Sequence, residues 1–107
     1  MKQFRVVLHV SENDRFESAL RNIENSLKLE EDISISLILN GEPAKFATYE
    51  KKLVEIQNQG IEVVVCRNSL NNFNISNKDL LEGVTVVPAT ILELIKRQNA
   101  GWAYIKP

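Results

Sequence analysis

The sequence predicts an α/β fold: a three-layer α/β/α sandwich built on a five-stranded, mostly parallel sheet. Three observations carry that prediction. Short runs rich in β-branched and aliphatic residues alternate with segments whose apolar residues recur at helical spacing. The runs are close to continuously apolar, as strands covered on both faces are. The connections between them are short, so consecutive elements should be neighbours in one layered domain spanning residues 1–107.

The first run is Phe4-Arg5-Val6-Val7-Leu8-His9-Val10, stopped by Ser11-Glu12-Asn13-Asp14. Asp14 with Glu17 three residues on, or Asn13, is expected to cap the first helix. Phe16, Ala19, Leu20, Ile23 and Leu27 then mark its buried stripe, with Arg21, Glu24 and Lys28 opposite. The second strand, residues 33–39, alternates at first and then becomes fully apolar before Asn40-Gly41 ends it. Pro43 is well placed to open the next helix. Phe46, Tyr49, Leu53 and Ile56 form that helix's inward stripe, widened by Ala47 and Val54, and Gly60 terminates it. The third strand runs over 61–66 and ends on the only cysteine, Cys66.

The stretch 68–77 is the least regular, with five Asn and two Ser. A helical turn fits 69–73, and Ser76-x-x-Asp79 fits a capping box ahead of Leu80 and Leu81. A short fourth strand follows Gly83 over 84–87. The last helix begins at Pro88 or Thr90, where Thr90-x-x-Glu93 fits a second capping box. Ile91, Leu92, Leu94 and Ile95 are expected to face inward, and Glu93, Lys96 and Arg97 outward. Gly101 ends that helix, and residues 102–105 form the final strand.

The composition narrows the function classes. At 44% hydrophobic and 25% charged residues the chain is an ordinary globular domain. A formal net charge of −1 leaves no basic excess for nucleic acid. No apolar run reaches the ~20 residues needed to cross a bilayer, and the start Met1-Lys2-Gln3-Phe4-Arg5 lacks a signal peptide's apolar segment. One cysteine cannot form an internal disulfide, which suits a reducing compartment, and the cytoplasm is the expected location.

Parallel topology brings the carboxyl ends of the first four strands to one edge of the sheet, where ligands and chemistry collect in such folds. That edge gathers His9, Asn40-Gly41, Cys66-Arg67-Asn68 and Pro88-Ala89. The spacing implies convergence there, not contact between particular side chains. Cys66 reads either as a small buried hydrophobe or as a reactive thiol favoured as thiolate by the amides of a helix start and by Arg67. His9 reads either as a hydrogen-bonded strand-end histidine or as a proton donor, acceptor or thiolate partner. Asn40-Gly41 is a turn that becomes a site element if its amides point at a ligand. One His and one Cys fall short of a zinc-type ligand set, so no metal is expected. The four scattered glycines form no phosphate-cradling loop, and there is no G-x-S-x-G segment. No cofactor is expected. Trp102 and Tyr104 read as core or subunit-interface residues.

Several segments together resemble the DsrE/DsrF-like family of small sulfur-relay proteins. The most specific are Val63-Val64-Val65-Cys66-Arg67-Asn68-Ser69-Leu70, Asp79-Leu80-Leu81-Glu82-Gly83-Val84, Val86-Val87-Pro88-Ala89, and the ending Gln98-Asn99-Ala100-Gly101-Trp102-Ala103-Tyr104-Ile105-Lys106-Pro107. His9 and Asn40-Gly41-Glu42-Pro43-Ala44 also resemble the family pattern. The resemblance implies a three-layer α/β/α fold, assembly as trimers or hexamers, and a cysteine that accepts sulfane sulfur as a persulfide and hands it to a partner. Cys66 is the residue that can fill that role, with donor and acceptor proteins as partners. His9 or Arg67 would stabilise its anion, and Asn68 would orient the turn or donate a hydrogen bond.

Two other functions fit the same residues. One is a non-catalytic oligomeric binding module with a small-ligand pocket at the strand edge. The other is a redox-sensing thiol that forms an intersubunit or glutathione disulfide, disfavoured by the lack of a second cysteine to resolve it within the chain. The sulfur-carrier reading expects the Cys66 sulfur in an open notch at the sheet's rim.

Overall fold

The computed structural model describes residues 4–30 and 32–107; the leading Met1-Lys2-Gln3, read above as lacking a leader, lies outside the described residues. Five strands form one sheet: β1 (Phe4–Val10), β2 (Ile33–Leu39), β3 (Glu62–Cys66), β4 (Thr85–Val87) and β5 (Ala103–Ile105). Their order is β4-β3-β2-β1-β5 and every pairing is parallel, where the sequence had predicted a mostly parallel sheet. Four α-helices connect them: α1 (Phe16–Leu29), α2 (Lys51–Asn58), α3 (Arg67–Asn72) and α4 (Thr90–Asn99), with short 3₁₀ turns between.

The strand order explains the layers. From β1 to β4 the chain steps in one direction, so right-handed crossovers place α1, α2 and α3 on one face. The return from β4 to β5 runs the other way and carries α4 to the opposite face. Side chains alternate along each strand, and the two faces therefore collect different residues. Leu8, Val10, Leu37, Leu39, Val63 and Val65 join Phe16, Leu20, Ile23, Leu53 and Ile56 in the larger core. Phe16 stacks on Phe46 with ring centroids 4.0 Å apart. The other face holds a smaller cluster, Val7, Ile38, Val64, Cys66 and Val87, covered by Leu94 of α4.

Several local expectations are corrected. Neither Asp14 nor Asn13 caps α1. A 3₁₀ turn over Asn13–Arg15 intervenes, no side chain caps the helix, and Asn13 instead donates to Glu42. The segment after Gly41 is not one helix. A 3₁₀ run, Glu42–Thr48, ends at Tyr49, and Glu50 in extended conformation caps α2 by accepting from the Lys52 amide. That break rotates the apolar stripe, leaving Tyr49 60% and Val54 39% exposed. The Ser76–Asp79 capping box does form. The one predicted at Thr90 does not: Thr90 is the first residue of α4, its cap position is Ala89, and no side chain caps the end.

The largest correction concerns α4. Ile91, Leu92 and Ile95 are 75%, 46% and 50% exposed. Thr90, Glu93, Leu94 and Arg97 lie beneath them, buried or half-buried. The reason lies on the sheet. Buried Ser36 donates to Glu62 Oε1 at 3.0 Å, and Arg97 reaches the same oxygen at 2.8 Å while its Nε bonds Glu93 at 2.7 Å. The Arg97 guanidinium also lies 4.8 Å from the Trp102 ring centroid. Burial pulls the Arg97 pKa down, but hydrogen bonds and charge from Glu93 and Glu62 outweigh it and leave it raised. A polar patch on the sheet needs a polar partner, so α4 turns Arg97 inward and part of its apolar surface outward.

Candidate functional site

The carboxyl ends of β1 to β4 meet along one edge, and the chemistry-bearing side chains there lie on the α4 face. Cys66 ends β3 and caps α3: its backbone is still extended, the helix begins at Arg67, and its Sγ accepts from the Ser69 amide at 3.4 Å. Ser69 Oγ lies 3.1 Å from the same sulfur. That hydroxyl accepts from the Gly41 N–H at 2.7 Å, which leaves its own proton free to donate to sulfur. Gly41 presents its amide from φ +67, ψ −145, a conformation essentially restricted to glycine. The turn after β2 thus becomes part of the sulfur's surroundings through Ser69.

Thr90 stands on the other side. Its hydroxyl and amide approach the Cys66 sulfur and help to lower its pKa, yet Thr90 Oγ1 reaches hydrogen-bond geometry with no group among the described residues. Burial pushes the Cys66 thiol up, but the hydroxyls and amides of Ser69 and Thr90 outweigh it and hold the pKa below the ordinary thiol value. The arrangement favours a thiolate without a neighbouring cation.

Cys66 is only 3% exposed. The expectation of an open notch is therefore corrected: β4, α3 and the start of α4 close over the sulfur, although hydroxyls and amides line it on two sides. An open recess of about 290 Å³, lined by Arg67, Val86, Val87 and Pro88, adjoins it at the sheet edge. Val87 is the register partner of Cys66.

The other predicted residues sit as follows. His9 lies on β1, with its Nε2 2.7 Å from Asn40 Oδ1 and its Nδ1 2.7 Å from the Tyr104 hydroxyl. The carbonyl oxygen of Asn40 can only accept, so Nε2 carries the proton and Nδ1 of the neutral ring accepts from Tyr104. Burial lowers the His9 pKa, the Asn40 bond opposes this, and the charge of Lys106 adds to the lowering. β2 separates His9 from Cys66, and His9 is level with Ile38 and Val64, two residues short of Cys66, so their Cα atoms lie about 12 Å apart at the usual strand spacing and rise. No hydrogen bond joins the two. Asn40 lies between them, one residue beyond the Leu39–Val65 pair. Arg67 turns away from the sulfur: its guanidinium donates to Asn77 Oδ1 at 2.7 Å. The Asn68 side chain is exposed. Neither Arg67 nor His9, which the resemblance implied would stabilise the Cys66 anion, bonds the sulfur; hydroxyl and amide donors surround it instead.

Ser69, Thr90 and Tyr104 were missed as members of this edge. Ser69 had a readable signal, standing three residues after a strand-end cysteine, where a helix cap expects a backbone donor. Thr90 was read as a helix cap and Tyr104 as core or interface; their places follow from strand order.

Among the described residues, no group of three or more His, Cys, Asp or Glu could hold a metal ion, and no helix is long and apolar enough to cross a membrane. A more apolar recess of about 490 Å³ opens on the α1 face, between that helix and the β1–β5 edge, and shares no residue with the Cys66 surroundings.

A model of the DsrE/DsrF-like family matches residues 12–107 of the chain. The fold is similar to that of MTH1491 from Methanobacterium thermoautotrophicum, a protein described as of unknown function: 29% identity, TM-score 0.93, covering 98% of this chain and 100% of that one. It is also similar to BT1422 from Bacteroides thetaiotaomicron, likewise of unknown function, at 18% identity and TM-score 0.73 over 96% and 94% of the two chains. The ychN protein from E. coli matches at 16% identity and TM-score 0.78 over 100% of both. No curated protein matches the chain.

Proposed function

Because the chain belongs to the DsrE/DsrF-like family, we propose that it is a cytoplasmic sulfur carrier that accepts sulfane sulfur on Cys66 and passes it to a partner protein. The observation that carries this reading is the set of donors around the Cys66 sulfur, which favours its anion. The thiolate is the form that attacks sulfur. In the loading step Cys66–S⁻ attacks the outer sulfur of a donor R–S–SH. The donor's S–S bond breaks, its electron pair leaves with R–S⁻, and a new S–S bond forms on Cys66. The proton stays with the transferred sulfur, and no external oxidant or reductant is consumed. Discharge is the same exchange in reverse, onto an acceptor thiolate.

Cys66 and its Ser69 partner do the chemistry in this reading. Gly41 supports Ser69, while Asn40 and His9 order the neighbouring strand ends. Arg67 and Asn68 face the outside of the same edge and are placed to meet a donor or acceptor. The cover over Cys66 shields a loaded sulfur from solvent, and exchange takes place when α3 and the start of α4 part around an incoming partner. The exposed Ile91, Leu92 and Ile95 of α4 support a homo-oligomer, a trimer or hexamer, as the working form.

The test is intact mass after incubation with a sulfane-sulfur donor. The native protein gains one sulfur atom and Cys66→Ser gains none. No gain on the native chain, or an equal gain on the variant, removes the reading. The burial of Cys66 favours a second one: a non-catalytic oligomeric binding module of the same fold. It expects slow alkylation of native Cys66, fast alkylation after unfolding, and retained function in Cys66→Ala.

A further inference from the structure

Thr90 is 6% exposed, and its hydroxyl oxygen is a buried polar atom with no hydrogen-bond partner among the described residues. Such atoms are rare in folded proteins, because an unpaired buried hydroxyl has lost its water without replacement. This one stands at the first residue of the ten-residue α4, whose end no side chain caps. The first amides of a helix have no partner within it, and the helix dipole adds positive potential there. An unpartnered hydroxyl and the amino end of a helix therefore meet at one point, three residues beyond Val87, the register partner of Cys66, and the Thr90 amide already turns toward the sulfur.

The two flanks of the sulfur differ. On the α3 side Ser69 bonds Sγ itself, through N–H at 3.4 Å and Oγ at 3.1 Å. On the α4 side the Thr90 hydroxyl approaches Sγ but forms no bond to it. Ser69 bonds the bare thiolate, and the Thr90 hydroxyl, although near enough to favour it, still has a proton to give. An anion reaches a place so enclosed most directly by being attached to Cys66. The persulfide S–H is more acidic than a thiol and gives its proton to solvent, and the negative charge then resides on the outer sulfur, one S–S bond beyond Sγ.

Resting on the sulfur-carrier reading above, we infer that the Thr90 hydroxyl and the amino end of α4 hold the outer sulfur of a Cys66 persulfide, while Ser69 holds the inner one. Ser69, helped by Thr90, then sets the nucleophile, and Thr90 in addition sets the lifetime of the cargo. Delivery requires the outer sulfur to leave the α4 end, so an acceptor that displaces α4 triggers release.

The experiment compares the native protein with Thr90→Val, Thr90→Ser and Thr90→Ala. Each is loaded with inorganic polysulfide and freed of excess. Loss of the added sulfur is followed by intact mass, and by thiocyanate release on adding cyanide. The unloaded thiol is titrated in parallel through its alkylation rate against pH. Thr90→Val keeps the shape without the hydroxyl and should lose sulfur roughly tenfold faster, the scale of one hydrogen bond to a charged group. Thr90→Ser should restore the native rate to within about threefold, and the unloaded titration should move much less than the loss rate. Thr90→Ala repeats the measurement should valine disturb the fold. Equal lifetimes in the native, valine and alanine proteins overturn the inference and leave the carrier reading standing. So does a loss that the shift of the unloaded thiol fully accounts for, since Thr90 would then serve the thiolate alone. A native protein that takes up no sulfur overturns both.

Discussion

The two faces of this sheet are built on different terms. Beneath α1 and α2 lies an apolar core in which Val10, Ala19, Ile23, Leu37, Leu39, Leu53, Val63 and Val65 are fully buried. Beneath α4 lies a thin cluster around Val7, Ile38 and Val64. A Ser36–Glu62–Arg97 network borders it, and Cys66, Asn40 and His9 line the edge where the first strands end. The chain itself covers the first face except for the apolar recess beside α1 and β5. The second carries every titrating group of the candidate site and still shows Ile91, Leu92 and Ile95 to the outside. Stability is thus concentrated on one face, and the candidate site and the exposed residues of α4 lie on the other.

The sharpest way to break this contrast is to truncate one large side chain on each face. Phe16 is 2% exposed and stacked on Phe46. Phe16→Ala should lower the unfolding free energy by about 3–5 kcal/mol. Leu94 is half-buried beneath α4, and Leu94→Ala should lower it by roughly 1–2 kcal/mol, since less area leaves water there. Urea denaturation of both variants decides the point. Equal losses would mean that α4 is as much a part of the stabilising core as α1.

The contrast also separates what could be read in the sequence from what could not. Strand and helix order was legible because each element carries its own periodicity: Phe16, Ala19, Leu20 and Ile23 repeat at helical spacing without reference to anything distant. The parallel edge was legible for the same reason, and with it the gathering of His9, Asn40 and Cys66. The rotation of α4 was not. Ile91, Leu92, Leu94 and Ile95 wrap around the helix, so the sequence leaves two apolar faces to choose between. Ser36 and Glu62, far back in the chain, decide the matter by demanding Arg97. Tyr49 was misplaced because the stripe was carried through a 3₁₀ break that only the tertiary packing reveals. Thr90 escaped for a related reason. Its spacing to Glu93 satisfies a capping box on paper, but Glu93 is committed to Arg97 and the Thr90 hydroxyl is buried beside Cys66. Where an element's own pattern is ambiguous, contacts from distant sequence choose, and the α4 face is made of such choices.

A second test charges the outer face of α4. Ile91→Lys combined with Ile95→Lys removes the two most exposed isoleucines of that helix without touching Thr90, Leu94 or Arg97. The effect on monomer stability should stay within about 0.5 kcal/mol, as for most surface substitutions. The molar mass from size exclusion with light scattering should fall from that of an oligomer to that of one chain. An oligomer that survives both lysines would place its interface elsewhere, with the apolar rim beside α1 and β5 as the remaining candidate.

The smallest effect expected is electrostatic and again belongs to the α4 face. Burial is the main cause that lowers the His9 pKa, opposed by the Asn40 bond and helped by Lys106. In the unfolded chain the imidazole titrates at its ordinary 6.5. Stability from neutral His9 is therefore complete above that value. As the pH falls through 6.5 the unfolded state takes up its proton first, stability declines, and the decline levels off only below the lowered folded value. Protonation turns Nδ1 from acceptor to donor, so the Tyr104 hydroxyl must reverse its bond. His9→Gln removes the titration and should flatten this part of the stability curve between neutral and mildly acidic pH. Because Tyr104 and the ring edge are partly exposed, solvent screens the effect and the slope should be shallow. An unchanged slope in His9→Gln would assign the acid sensitivity to carboxylates instead. The ordered strand ends beside Cys66 would then be held by geometry alone, with no protonation state of His9 involved.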